Sequence, residues 1–338
     1  MPVMSNKRLN ERLLKSIIFL LVISAVVAGL FFYCFRMPGN SYTRQLPVAD
    51  EALQLLNTRL AEHVWFLSEE IGERHYLKMA SLNKAADYIE EQFKAAAYIP
   101  LSQIFGEKQY RNIVVDLYGG QRRDEIIVVG AHYDSVWMTP GADDNASAVA
   151  ALLEIARALK NKKLSRTIRF IAFANEELPF YGTDEMGSRQ AAKRSYDKNE
   201  HIVGMFSLEM LGYYSDEPDS QRYPRPLSYF YPDKANFIAF VSNLVSRGWL
   251  AESILAFRQR AEFPSEGLAV PEWLVPDIRR SDNAAFWEYG YPAIMITDTS
   301  NYRNRNYHNA GDVYHTLDYD RMARLVSGLT KMLETLAR

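Results

Sequence analysis

The sequence predicts an α/β domain with a central mixed, mostly parallel sheet, preceded by one transmembrane helix. Patterns typical of buried strands alternate with amphipathic helical patterns, which favours parallel strands connected by helices. Several predicted strands end at His, Asp or Glu residues. Residues 16–35 carry no charge. We therefore expect a single three-layer domain, with helices on both faces of the sheet, behind an apolar N-terminal segment.

The N-terminal segment fits a signal anchor. At about 1.5 Å per residue, residues 16–35 can cross the roughly 30 Å hydrocarbon core of a bilayer. Basic residues outnumber acids before it, which places the N-terminus in the cytoplasm. A cleaved signal peptide is the alternative, but the bulky residues 31–35 do not suit a cleavage site. We expect a cytoplasmic tail over 1–15, a linker over 36–49 and a periplasmic or extracellular domain over 50–338.

Composition excludes some classes of protein. Hydrophobic residues make up 48% of the chain, which allows a sizeable core. The net charge of −2 gives no argument for a nucleic-acid partner. Cys34 is the single cysteine, so an internal disulfide framework is excluded. Composition does not determine the oligomeric state.

The periodicity of apolar residues predicts the individual elements. Helices are expected from Asp50 to Leu67, at 82–96, 146–159 and 234–248, and from Asp318 to the C-terminus. Strands are expected at 112–118, 125–131, 166–174, 202–209, 227–231 and 293–298. Residues 213–226 and 259–281 are predicted to be long loops, which are often functional in compact domains.

Polar side chains collect where these strands end. They are His132, Asp134, Asp144, Glu176, Glu177, Glu209 and His308. Ligands of α/β proteins bind outside the carboxyl ends of the strands, so these residues are expected at one edge of the sheet. Carboxylates crowded together repel one another unless a cation lies between them. Imidazole and carboxylate ligands suit zinc and related divalent ions.

The residue types allow a site for two metal ions. Two histidines and three carboxylates suffice if one carboxylate bridges, and Asp144 is the natural bridge because it precedes a helix. Its neighbour Asp143 is the alternative. Asp134 lies two residues after His132 and can orient that imidazole. Of the adjacent glutamates, one can bind metal while the other transfers protons.

These stretches resemble the co-catalytic dizinc aminopeptidases of the bacterial leucyl aminopeptidase and aminopeptidase Y type. The same superfamily includes glutamate carboxypeptidase-like proteins and glutaminyl cyclases. The matching stretches are GAHYDSV, PGADDNASAVAALLEIAR, FANEE, SLEMLGYY, RSDNAAF and YHNAGDVYHTLDYDRM, with weaker similarity at IGERHY and AADYIEEQF. The resemblance implies a zinc-exopeptidase-like fold, two zinc ions per chain and peptide substrates.

The resemblance also implies a role for each site residue. His132, Asp144 and Glu209 would hold one zinc, and Asp144, Glu177 and His308 the other. Glu176 would be the general base, Asp134 would support His132, and Asp282 would lie in the outer shell. The sequence departs from the family pattern at Glu209, where Asp is usual, and at Asn283, where His is usual. His315 is the alternative to His308 as a ligand of the second zinc.

The resulting hypothesis is a membrane-anchored dizinc aminopeptidase that contacts the bilayer through residues 16–35. One alternative is a glutaminyl cyclase, which shares the fold but needs a single zinc. A second is a non-catalytic, receptor-like ectodomain. The intact Glu176-Glu177 pair and Asn145 after Asp144 favour the two-metal hydrolase. The sequence does not determine which N-terminal residue is preferred.

Overall fold

A computed structural model of the protein describes residues 6–225 and 227–338. In this part of the chain eight strands form one sheet: β1 Leu101–Phe105, β2 Tyr110–Leu117, β3 Arg122–His132, β4 Arg166–Phe173, β5 His201–Glu209, β6 Ile238–Ser242, β7 Ser265–Ala269 and β8 Ala293–Thr297. The α-helices described are α1 Asn6–Phe35, α2 Glu51–Trp65, α3 Met79–Ala95, α4 Ala148–Leu159, α5 Gly187–Asp197, α6 Arg247–Arg260, α7 Asn283–Glu288 and α8 Tyr319–Leu336. The first five residues of the predicted cytoplasmic tail, and Pro226 at the end of one predicted loop, lie outside the described residues.

The sheet is mixed, with a parallel centre. Its order is β1-β2-β4-β3-β5-β8-β6-β7. Strands β4, β3, β5 and β8 run parallel to one another. The outer strands β2 and β6 are antiparallel to their inner neighbours, and β7 runs parallel to β6. The carboxyl ends of the four central strands therefore meet at one edge.

Both faces of the sheet are covered, which gives the predicted three layers. Ile127 and Val129 of β3 pack in the core formed with α2, α3, α4, α6 and α8. Their neighbours Ile126 and Val128 point to the other face, into the core formed with α5 and α7. This alternation explains why the central strands are continuously apolar, since each of their faces is buried. The predicted fold class is confirmed.

Several predictions on the β6–β7 side were wrong. Residues 227–231 were expected to form a strand, but Leu227–Tyr229 form a single helical turn. The helix expected at 234–248 is replaced by β6, and α6 begins at Arg247. The predicted loop 259–281 contains the end of α6 and the whole of β7. Strands β6 and β7 form because β6 pairs with both β7 and β8. The periodicity of apolar residues along the sequence does not reveal such pairing.

Of the described helices, α1 is the one long and apolar enough to cross a membrane, over Glu11–Phe35. The chain after it lies against the domain. Met37 is buried, and a Cβ on Gly267 of β7 would lie 2.5 Å from its Cγ. Gly267 thus permits the close approach of Met37 to β7. Because glycine has no side chain to pack, it also weakened the strand pattern that β7 shows in the sequence.

Candidate metal centre

The predicted site residues meet at the carboxyl edge of the central strands. His132 is the last residue of β3 and Glu209 the last residue of β5. Glu176 and Glu177 follow β4, which pairs with β3 so that Phe173 lies opposite His132. All four are buried.

One group of possible ligands surrounds the His132 imidazole. Its Nε2 lies 3.3 Å from Asp144 Oδ1 and 3.5 Å from Glu209 Oε2. One ligand atom from each of these residues lies within 4.8 Å of the others. Three such atoms converging on one point is the arrangement that a tetrahedral zinc site requires, with a fourth position left open.

A second group shares Asp144. His308 Nε2 lies 3.0 Å from Asp144 Oδ2 and 3.4 Å from Glu177 Oε1. Asp144 therefore presents one carboxylate oxygen to His132 and the other to His308. A carboxylate placed in this way could bridge two ions.

Glu176 lies beside the first group. Its Oε2 is 3.9 Å from His132 Nε2, and His132, Glu176 and Glu177 also satisfy the distances for a shared ion. Glu176 can therefore act on a molecule bound at the metal centre, or it can bind metal itself.

The buried atoms of this cluster fit a metal. His132 Nε2 and Asp144 Oδ1, which face one another inside the cluster, have no hydrogen-bond partner among the described residues. Buried polar atoms are normally paired, so these atoms are arranged for a ligand that is not part of the protein. Two imidazoles and several carboxylates are the donor set of a zinc site, and the residues present fit that ion.

The pKa values of the cluster reflect its crowding. Burial, together with the neighbouring Asp144 carboxylate, raises the pKa of Glu177 to about 7. Burial also raises the pKa of Glu176 well above its ordinary value, and Glu177 and Glu209 add to the shift. Burial opposes ionisation of Asp144 too, but contacts with His132 and His308 outweigh it and lower the pKa of that group. Negative charge accumulates here, and a cation would neutralise it.

Asp134 connects two parts of the site. Its Oδ1 lies 3.4 Å from His132 Nδ1. The same carboxylate accepts hydrogen bonds from the backbone N–H groups of Glu176 and Glu177, each at 3.1 Å. The sequence predicted the first contact but not the second. Asp134 therefore positions His132 and both glutamates together.

Asp134→Asn is expected to weaken zinc binding about 10- to 100-fold, the usual effect of losing an outer partner of a metal ligand. An amide offers one acceptor oxygen, so one of the two backbone N–H groups would lose its partner. Competition with a chromogenic chelator measures the zinc affinity. Asp124→Asn, on an exposed residue, is the matched control. Equal affinities in the two variants would contradict the role of Asp134.

Asp312 is a functional residue that the sequence analysis missed. Its carboxylate accepts hydrogen bonds from the backbone N–H groups of Asp143 (2.8 Å) and Asp144 (3.0 Å). It thereby fixes the loop that carries the bridging carboxylate. The signal was present, because Asp312 belongs to the HNAGD stretch after His308.

Asp143 and Asp144, the two candidates for the shared metal ligand, make different contacts. Asp143 accepts hydrogen bonds from the Gly212 backbone at 2.9 Å and from Asn304 Nδ2 at 2.7 Å. Its carboxylate is thus used within the loops, whereas Asp144 faces both imidazoles. His315, the rival of His308, is exposed and belongs to none of the metal-ligand groups found in the described residues.

Ser281 is the residue of the RSDN stretch whose side chain reaches a predicted ligand. Its hydroxyl donates to Glu209 Oε2 at 2.7 Å and is hydrogen-bonded to the Ser207 hydroxyl at the same distance. Asp282, expected as the outer-shell partner, is buried next to it. The side-chain hydrogen bond that holds the Glu209 carboxylate therefore comes from Ser281.

Arg74, in the IGERHY stretch, holds the loop before Asp144 in place. It is fully buried and donates to the carbonyl oxygens of Tyr133 at 2.7 Å and Gly141 at 2.6 Å, and also to that of Pro140. Burial lowers the pKa of Arg74 to about 10, opposed by Asp312 and Asp134, so the guanidinium stays charged at neutral pH. Gly141 has a φ of +65°, which favours glycine at this turn.

A recess opens on the His308 side of the site. Its walls include apolar side chains such as Leu227, Phe237 and Met295. Tyr307, which also lines it, stacks on the His308 ring with 3.7 Å between the ring centroids. A substrate held at the metal centre could therefore place an apolar side chain in this recess.

Comparisons with known proteins identify relatives of the chain. The chain is 37% identical over 287 residues to the uncharacterized protein YfbL of Escherichia coli (strain K12), covering 81% of this chain and 87% of that protein. It is 25% identical over 331 residues to the probable leucine aminopeptidase 1 of Trichophyton verrucosum, covering 90% and 82%.

Solved structures share the fold. The zinc aminopeptidase BSAP from Bacillus subtilis superposes with a TM-score of 0.65 at 17% identity, covering 87% of this chain and 97% of that one. The Fimbriiglobus ruber glutaminyl cyclase gives 0.62 at 17% identity, covering 88% and 98%. The family model described as Peptidase family M28 matches residues 112–332. The resemblance seen in the sequence is thereby confirmed, and with it the prediction of a peptidase: the chain belongs to peptidase family M28.

Proposed function

We propose that the protein is a membrane-anchored dizinc aminopeptidase. The observation that carries this proposal is the position of Asp144, whose two oxygens face His132 and His308 separately. Glu209 completes the first group of ligands and Glu177 the second. A site with one bridging carboxylate and two separate imidazoles is suited to a pair of metal ions.

Each residue has a distinct task in this proposal. His132, Asp144 and Glu209 would hold one zinc, and Asp144, Glu177 and His308 would hold the other. Zinc bound there supplies Lewis acidity toward a carbonyl group and toward water. Glu176 takes a proton from the water as the water oxygen bonds to the carbonyl carbon, and it then delivers that proton to the leaving amine as the peptide C–N bond breaks. Asp134 positions His132 and the backbone of Glu176.

The aminopeptidase class is supported by two independent facts. The relatives reported above include a probable leucine aminopeptidase and, among solved structures, a zinc aminopeptidase. The apolar recess beside His308 can accept the side chain of an N-terminal residue. We propose peptides with unblocked N-termini as substrates.

The anchor is the second part of the proposal. Helix α1 is near the N-terminus and contains the apolar segment Glu11–Phe35. Basic residues precede the apolar segment, so the N-terminus would be cytoplasmic and the catalytic domain periplasmic or extracellular. We retain the division into a tail over 1–15, an anchor over 16–35, a linker over 36–49 and a peptidase domain over 50–338.

Metal counting with two histidine variants tests the site. The wild-type chain in detergent is expected to bind two zinc ions, and His308→Ala to lose one of them together with most of its hydrolysis of aminoacyl and peptide substrates. His315→Ala is the matched control, because this nearby histidine is exposed. It should retain both ions and full activity.

Other results would favour the alternatives. A single zinc in the wild-type chain, together with cyclisation of N-terminal Gln, would identify a glutaminyl cyclase. Absence of bound metal and of activity on the whole peptide panel would favour a receptor-like ectodomain.

A further inference from the structure

A group of exposed apolar side chains lies in three loops near the end of α1. We call it the aromatic rim. Its members and their exposed fractions are Tyr229 (78%), Phe230 (51%), Val245 (86%), Trp273 (80%) and Leu274 (52%). Single exposed apolar residues are ordinary on a soluble surface, but a cluster marks an interaction site.

The rim is continuous with α1. The Phe230 ring packs on Phe31 and Phe35 of the helix, with centroid distances of 4.7 and 5.5 Å. Arg247, at the start of α6, donates to the Tyr33 carbonyl and to the Arg36 carbonyl, the latter at 3.2 Å. Its guanidinium also lies 4.0 Å from the centre of the Tyr33 ring. The apolar helix therefore leaves the domain from the rim itself.

Three further rim residues lie in two neighbouring loops. Val245 lies in the loop after β6, and Trp273 and Leu274 lie in the loop after β7. Asn243 Nδ2 donates to Glu272 Oε1 at 3.2 Å and joins these two loops. Val245 is two residues from Arg247, which binds the end of α1.

Val245, Trp273 and Leu274 lie at the edge of the sheet away from the metal centre. Glu209 pairs with Thr297 at the carboxyl end of β8. Because β6 is antiparallel to β8, Thr297 lies opposite Ala239 near the start of β6. The loops that follow β6 and β7 therefore leave the sheet at the edge away from Glu209.

We infer that the aromatic rim rests on the lipid surface of the membrane and turns the metal centre toward the aqueous phase. This inference rests on the proposed anchor. The surface that contacts the rim is a bilayer, because the helix Glu11–Phe35 leaves the domain at the rim and must enter a bilayer within a few residues of the rim. Tyr, Trp and Phe are also the side chains suited to the boundary between headgroups and acyl chains. The protein would thus act on peptides in solution.

Site-specific labelling of the full chain in phospholipid vesicles tests this orientation. In a Cys34→Ser background, an environment-sensitive fluorophore is attached after Trp273→Cys, Val245→Cys or Trp137→Cys. Trp137 is a matched control because it is 64% exposed in the loop after β3, at the metal-centre edge. Labels at 273 and 245 should lose most of their emission to brominated lipids, while the label at 137 should lose almost none.

A charge in the rim gives a second measurement. Leu274→Glu should reduce lipid quenching of the label at 245, because a carboxylate is costly at the apolar boundary. Leu77→Glu, on a residue that is 63% exposed elsewhere, should not. Hydrolysis of soluble peptides should be unchanged by either substitution.

The possible failures can be told apart. If the chain stays with the vesicles but the labels at 273 and 137 are quenched equally, the rim does not face the lipid in preference to the metal-centre edge, and the inference is overturned while the anchor stands. If emission at 273 changes only with the density of protein, the rim binds a second copy instead. If the chain does not stay with the vesicles, the anchor and the inference both fail, and the peptidase assignment is untouched.

Discussion

Glu176→Gln is expected to lower kcat by about 10²- to 10⁴-fold, the usual contribution of general acid–base catalysis, while zinc remains bound. The amide keeps the size of the side chain but cannot accept a proton. Glu176 is buried, and its Oε2 lies 3.9 Å from His132 Nε2, so it faces the space that the ligands surround. Steady-state hydrolysis of a peptide substrate and zinc content measured on the same sample check the two parts of this prediction.

Glu185→Gln is the matched control, since it makes the same change on a partly exposed glutamate farther along the same loop. It should hydrolyse the substrate normally. Normal hydrolysis by Glu176→Gln would show that the base is another residue. Loss of zinc from Glu176→Gln would instead identify Glu176 as a ligand, an arrangement that the distances among His132, Glu176 and Glu177 allow.

Arg74→Met is expected to reduce the free energy of unfolding by about 3–5 kcal/mol, the range for removing one partner from a buried charged network. The guanidinium donates to the carbonyl oxygens of Tyr133, Pro140 and Gly141, which would lose their partner in the dry interior. The loop before Asp144 would loosen, so zinc affinity should fall as well. Urea denaturation in detergent and a zinc competition assay measure the two effects.

Arg44→Met provides the comparison, because Arg44 is exposed and the same change there removes no buried contact. It should leave both quantities unchanged. If Arg74→Met unfolded at the same urea concentration as Arg44→Met, the network around Arg74 would contribute nothing to stability. If stability fell but zinc affinity did not, the loop would keep its position without Arg74.

The sequence by itself determined the central strands and the residues at their ends. Ile126 to Val129 are buried on both faces of the sheet. Strands buried in this way are continuously apolar, so β3 could be predicted from the sequence. The start of α8 at Asp318 could also be predicted, because the Asp318 side chain caps the helix and an N-cap is a contact between close neighbours in sequence. His132 and Glu209 followed, since parallel strands deliver their last residues to one edge.

Only the tertiary structure decided what holds those residues in place. Asp312 contacts the backbone of Asp143 and Asp144 from 169 and 168 residues along the chain, and Arg74 reaches Gly141 across 67 residues. β7 was missed because a short strand containing glycine is defined by its partners rather than by its own residues. Strand and helix signals are local, whereas hydrogen bonds to a loop from distant residues depend on which segments the fold brings together. The sequence could therefore name the predicted ligands and Asp134, but the contacts of Asp312 and Arg74 with the loop that carries Asp144 became visible only in the folded chain.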